Sequence, residues 1–240
     1  MEFVVLYGGL IDISASTEIS LSLSHMIRPT AWILAALCVA SATASQVPSY
    51  ASTLVLAGGE VDDNNTAVYG PMIQAAGSHS AVVAVVTAAS FDGCCDPDSS
   101  WVLYNSIFST FSPASIFWVP IDVNHTHNNA NETILKQLEA STLIFFSGGD
   151  QTRVVSSFFN QDHVTSPALA IIRNKFFSTQ PGFAVGGSSA GTACQPSTVM
   201  IANGLSYSAL VNGSIPNQSD GDDNLLYGNL ILRALSYVFL

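Results

Sequence analysis

The chain has 240 residues, 48% of them hydrophobic and 10% charged, with a formal net charge of −11 and a pI near 4.4. That length and apolar fraction suit one good-sized domain with a real core and exclude a disordered chain. Six Lys and Arg stand against seventeen Asp and Glu, which excludes nucleic acid as a partner, because phosphate binding needs clustered cations.

Residues 1–25 carry Glu2, Asp12 and Glu18 and match no secretory n-region, so they read as an over-extended start ahead of initiation at Met26. From Met26 the order is that of a signal peptide over 26–44: Arg28, an apolar run over 31–40, and an A-x-A cleavage site at Ala42-Thr43-Ala44. A buried core helix is the alternative. The run is shorter than the ~20 residues of a membrane span, so no membrane anchor is expected after cleavage. Five Asn-x-Ser/Thr sequons follow, at Asn64, Asn124, Asn131, Asn212 and Asn217, and suggest a secreted, extracellular glycoprotein. Cys94, Cys95 and Cys194 remain in the mature chain and make no disulfide framework. No spacing calls for a metal, and no cofactor is expected.

From residue 45 short apolar runs alternate with helical patterns. Strands are predicted at Thr53–Ala57, 81–87, 115–121, Leu143–Phe146 and 183–185. Helices are predicted over 66–76, 101–111, 131–140, 151–159 and 166–177. Asn131 is placed to cap the third helix, with Leu135, Leu138 and Ala140 on one face. Continuous apolar strands alternating with helices indicate an α/β fold, a mostly parallel sheet covered on both faces in three layers. In such sheets ligands gather at the carboxyl ends of the strands. Three polar or glycine-rich loops fall there: Gly58-Gly59-Glu60, residues 148–151 and residues 187–191.

Gly187-Ser188-Ser189-Ala190-Gly191 fits G-x-S-x-G between a strand and a helix. A turn that tight needs small neighbours, exposes the serine hydroxyl and aims the following N–H at a developing oxyanion. Ser189 is then the candidate nucleophile, Ala190 N–H a candidate oxyanion donor, and Ser188 the filler; a plain Gly/Ser loop is the alternative. In Ser147-Gly148-Gly149-Asp150-Gln151 the glycines let backbone approach a reacting carbonyl, and Asp150 or Gln151 could hold a polar substrate group. Equally, Asp150 could only cap the helix that follows.

FFSGGDQTR, followed by GFAVGGSSAG, resembles cyanophycinase and the related aspartyl dipeptidases, a family of serine peptidases; LVLAGGE and VVTAAS are similar to that family's first strands and loops. The resemblance spans residues 53–204. It implies a flavodoxin-like fold of the class I glutamine amidotransferase kind and small aspartyl peptides as substrates. It also implies Ser189 as nucleophile, Gln151 as substrate-holding glutamine, and Gly149 and Ala190 as oxyanion donors.

The chain departs from that family after the serine. The family places its histidine base, with an acidic partner, beyond the nucleophile. Here all five histidines, at 25, 79, 125, 127 and 163, precede Ser189, and the only acids after it are Asp220, Asp222 and Asp223. A serine hydroxyl needs a base at neutral pH. His125 and His127 lie among sequons and His163 in a polar stretch, where a solvated histidine is the ordinary reading. Cys194 reads as a packed small residue. Residues 45–224 are therefore expected to form an incomplete domain lacking its base, and 225–240 a divergent apolar tail. The expected product is a weak or inactive peptidase, or a non-catalytic secreted binding protein that keeps the fold.

Overall fold

The computed structural model describes residues 2–6, 10–12, 52–91, 99–159, 164–178, 181–195, 200–202, 215–216 and 224–226. The proposed leader, His25, His163, Cys94, Cys95, Asn212, Asn217 and Asp220, Asp222 and Asp223 lie outside the described residues, as does the tail beyond 226.

Strands β1 (Glu2–Leu6), β2 (Leu10–Asp12), β3 (Thr53–Ala57), β4 (Val82–Val86), β5 (Ser115–Val119), β6 (Leu143–Phe146) and β7 (Ala184–Ser188) form one sheet in the order β2-β1-β3-β7-β6-β4-β5. The five strands from β3 to β5 all run parallel, β1 joins parallel to β3, and β2 turns back antiparallel on β1. A second, small sheet pairs β8 (Met200–Ala202), β10 (Asn224–Leu226) and β9 (Ile215–Pro216) in that order.

Strands β3, β4 and β6 are buried on both faces, which explains why they are nearly continuous apolar runs, whereas the edge strand β5 is only partly covered. Successive residues point to opposite faces. Val55, Val83, Val85, Leu143 and Phe145 pack with helices α1 (Thr66–Ala75) and α2 (Ser100–Ser109), through Tyr69, Met72, Ile107 and Phe108. Leu54, Leu56, Val86, Ile144 and Phe146 pack on the other side with α3 (Glu132–Ala140), α4 (Gln151–Phe158) and α5 (Pro167–Phe176). The three-layer α/β fold expected from the sequence is the fold observed.

The helices start where their caps are. Asn65, Ser99, Asn131, Asp150 and Ser166 each accept a backbone N–H of the first turn with a side-chain oxygen. One helix face differs from the expectation. On α3 the buried pair is Ile134 and Leu138, while Ala140 is exposed and Leu135 only partly covered. The i, i+4 spacing of 134 and 138 keeps them on one line of the helix, and the last-turn alanine rotates off it. Among the described residues no helix is long and apolar enough to cross a membrane.

Helix α1, which follows β3, packs on one face, whereas the short helix α6 (Ala190–Ala193), which follows β7, contributes Ala190 to the core on the other. Connections leaving adjacent parallel strands toward opposite faces open a crevice between their carboxyl ends. Ser189 stands at the end of β7, beside that crevice.

Candidate active site

Ser189 joins β7 to α6 with φ 51° and ψ −116°, a backbone conformation that L-residues rarely adopt. Its own N–H is spent on the carbonyls of Ala57 (3.1 Å) and Gly58 (3.3 Å) at the end of β3. The turn is held from below as well. The Thr192 hydroxyl lies 2.6 Å from the Ala57 carbonyl and 2.8 Å from that of Gly187, tying the first turn of α6 to both strands. Ser188 is 5% exposed and its hydroxyl reaches the Gly58 carbonyl at 3.2 Å, whereas Ser189 is exposed. Of the two serines, the structure buries the filler and presents the candidate.

Glycines make this possible. A Cβ on Gly187 would fall on the Gly191 backbone, 2.5 Å from its carbonyl carbon, and one on Gly191 would fall on the Phe146 carbonyl at the end of β6. Strand β7, helix α6 and the end of β6 therefore meet backbone to backbone. On the open side, the Cβ position of Gly59 lies 3.5 Å from Ser189 Oγ, and that of Gly148 lies 3.3 Å from Ser189 Cβ. The three loops that the sequence placed at the strand ends thus converge on one hydroxyl, and no side chain stands over it from either glycine.

Gly149 is turned the other way. With φ 136°, its Cβ position runs into the Ala89 carbonyl, and the next N–H, of Asp150, donates to that carbonyl at 2.9 Å. The loop after β4 therefore fixes the Gly148-Gly149 turn. Asp150 is the N-cap of α4: its carboxylate accepts from Thr152 N–H (2.8 Å) and from the Thr152 hydroxyl (2.6 Å). Gln151 is the first residue of α4 and half-buried. Neither the Ala190 nor the Gly149 N–H has a hydrogen-bonded acceptor among the described residues, while that of Ser189 does.

Sequence reasoning missed Tyr104. On α2 and 8% exposed, it packs 4.6 Å from the Phe145 ring. Its hydroxyl lies near the Ser188 side chain and the Gly148 backbone. Burial, seconded by the Asp63 charge, raises the phenol above its ordinary value against the lowering influence of Ser188 and Gly148, so it stays neutral. Tyr104 thus lies beside Ser188, whose own hydroxyl donates to the Gly58 carbonyl. Only the packing of a tyrosine on a largely apolar helix signals it.

No acid or base of the described chain makes a hydrogen bond to Ser189 Oγ. His79 Nδ1 meets the Ser112 carbonyl at 3.1 Å, and exposed His125 pairs with Asp122 at 2.9 Å, beside exposed His127. Cys194 is fully buried, its Sγ on the Gly191 carbonyl, and burial pushes its thiol far above the usual range. That thiol is not a rival nucleophile. Among the described residues no group of three His, Cys, Asp or Glu could hold a metal ion. Of the sequons, Asn64, Asn124 and Asn131 are exposed, and Asn131 also caps α3 through its Oδ1.

A strained, exposed serine between a parallel strand and a helix, with glycine loops on either side, is nucleophile-elbow geometry. No family model matches the chain. In backbone shape it is similar to a solved peptidase from an acI-B1 actinobacterium, with 21% identity and a TM-score of 0.48, over 62% of this chain and 57% of that one. It is also similar to a candidate peptidase E protein from Listeria monocytogenes EGD-e, with 10% identity and a TM-score of 0.42, over 72% of this chain and 73% of that one. The chain thus spans somewhat over half the length of the first of these. Both are likenesses of shape, at identities too low to transfer a residue's role.

Proposed function

We propose that the chain is a secreted, N-glycosylated hydrolase of the serine-peptidase kind that cuts short aspartyl-containing peptides through an acyl-enzyme on Ser189. The observation that carries this reading is the exposed Ser189 hydroxyl on a strained strand–helix turn, with Gly59 and Gly148 on either side of it. In the reaction, Ser189 Oγ bonds to the substrate carbonyl carbon as its proton passes to solvent water. The Ala190 and Gly149 amides, which spend no hydrogen bond on the described chain, take the oxyanion. Collapse expels the amine with that proton, and water then cleaves the ester.

The second reading is a non-catalytic secreted binding protein, and one observation favours it: none of the described acids or histidines is hydrogen-bonded to Ser189 Oγ. Under the first reading, turnover by these 240 residues is therefore slow. Release of amino acids from β-aspartyl dipeptides by the purified chain is the test. Weak turnover that vanishes in Ser189→Ala supports the hydrolase; binding of the dipeptide with no Ser189-dependent turnover supports the binding protein. Hydrolysis that survives Ser189→Ala overturns the assignment.

A further inference from the structure

Arg153 lies in the first turn of α4, half-buried, three residues after the cap Asp150. Its guanidinium sits 4.0 Å from the centroid of the Phe91 ring, and its Nε–H donates to the Ser90 carbonyl at 3.2 Å. Phe91 itself is 83% exposed, an unusual position for a large apolar ring. Two successive carbonyls of the loop leaving β4, Ala89 and Ser90, thus accept from Asp150 N–H and from Arg153 Nε–H. Arg153 is therefore anchored to the same loop that fixes Gly148-Gly149 against Ser189.

The arrangement leaves the business end of the side chain unused. A guanidinium has five N–H donors, and the four on its Nη atoms have no partner among the described residues. The nearest acid in sequence on its own helix, Asp150, is committed to Thr152. Among the described residues no carboxylate forms an ion pair with Arg153, in a chain with six cations and seventeen acids. The Phe91 ring against the guanidinium and the Ser90 bond restrain the fork in advance, which lowers the ordering cost that a free side chain would meet on binding. The ligand that matches a fixed fork of parallel N–H donors is a planar carboxylate.

We infer that Arg153 is a specificity-determining residue that binds a carboxylate of a short peptide substrate at a distance from the reacting carbonyl. The inference rests on the reading of Ser189 as the reacting group. Arg153 is five positions beyond Gly148, with one helical turn between, which puts its Cα on the order of 10 Å away. An extended peptide covers that span in roughly three residues. The carboxylate is either the free C-terminus of such a peptide or an acidic side chain within it.

Binding to the Ser189→Ala protein by isothermal titration separates these cases without interference from turnover. Three probes are used: tetra-alanine as the free acid, its C-terminal amide, and the amidated peptide with aspartate at the third position. At least one acid-bearing probe is expected to bind about tenfold more tightly than the all-alanine amide. Arg153→Gln abolishes the difference, Arg153→Lys restores part of it, and Phe91→Leu weakens it while leaving thermal stability unchanged. Whichever acid-bearing probe binds names the source of the carboxylate. Equal binding of all three probes, or a preference for acid that persists in Arg153→Gln, overturns the inference. So does acid binding that emerges only when Asp92, Asp96 and Asp98, which follow Phe91 in the chain, are changed to Asn. Selective binding together with an inert Ser189 in the unmutated chain would instead sink the hydrolase reading and leave Arg153 as a ligand-binding residue.

Discussion

Gly191→Ala is expected to destabilise the protein by about 3 kcal/mol or more, the upper end of what one added methylene costs in a packed interior. The new Cβ would fall on the Phe146 carbonyl, with the Phe146 carbonyl carbon at 2.6 Å and the Ser147 carbonyl oxygen at 2.8 Å. Those atoms are backbone at the end of β6, a strand bonded on both sides by β4 and β7, so they have no rotamer through which to yield. Gly187→Ala meets the same kind of wall in the Gly191 backbone and Thr192 N, the latter at 2.8 Å. For a domain of this size the loss corresponds to a fall of about 6–12 °C in midpoint temperature. Gly58→Ala is the control, since its Cβ meets nothing within 4 Å, and its stability is expected to stay within about 0.5 kcal/mol of the parent. If Gly191→Ala melts with the parent, α6 does not lie against β6 and the elbow is not built as described.

Gly149→Ala is expected to slow covalent capture of Ser189 by about 100-fold, the usual scale for loss of one oxyanion donor. Two causes act together. The residue sits at φ 136°, where an L-side chain is strained, and its Cβ would fall on the Ala89 carbonyl that receives Asp150 N–H. The turn must move off the loop after β4, and the Gly149 amide moves with it. Asp150→Ala provides the comparison. It removes the cap of α4, a cost of about 1 kcal/mol, without forcing the glycine turn to move. Its capture rate is therefore expected to stay close to the parent's. A folded Gly149→Ala protein that captures the probe at the parental rate would remove Gly149 from the site.

Much of this geometry was legible before any coordinates. The strands Thr53–Ala57 and Leu143–Phe146 match their expected bounds because both faces of the sheet are buried there and every position but Thr53 is apolar. The three loops were legible because parallel strands place their carboxyl ends together. Strand β7 was cut short in the sequence reading, at residue 185, because glycine is depleted in strands. In the fold Gly186 and Gly187 belong to the strand because there is no room beside them: a Cβ on Gly186 would stand 2.7 Å from Met72 Sδ. Strands β1 and β2 lie in a segment to which no strand was assigned. The apolar run of residues 3–6, followed by Gly8-Gly9, carries a hairpin pattern, though the acidic Glu2, Asp12 and Glu18 around it are the signs of a non-secretory start. Tyr104 with Ser188, and Phe91 with Arg153, were invisible for another reason. Each pair is brought together by the sheet across 62 or more positions of chain, and no local pattern announces such a meeting.

The central claim is that Ser189 is the reacting atom's residue, and adduct mapping tests it most directly. The chain is incubated with a fluorophosphonate probe, digested, and the modified peptide identified by mass spectrometry. A single adduct on Ser189 is expected, slow to form, absent from Ser189→Ala and retained in Ser188→Ala. An adduct on Ser188 or elsewhere, with Ser189 left unmodified, would contradict the account.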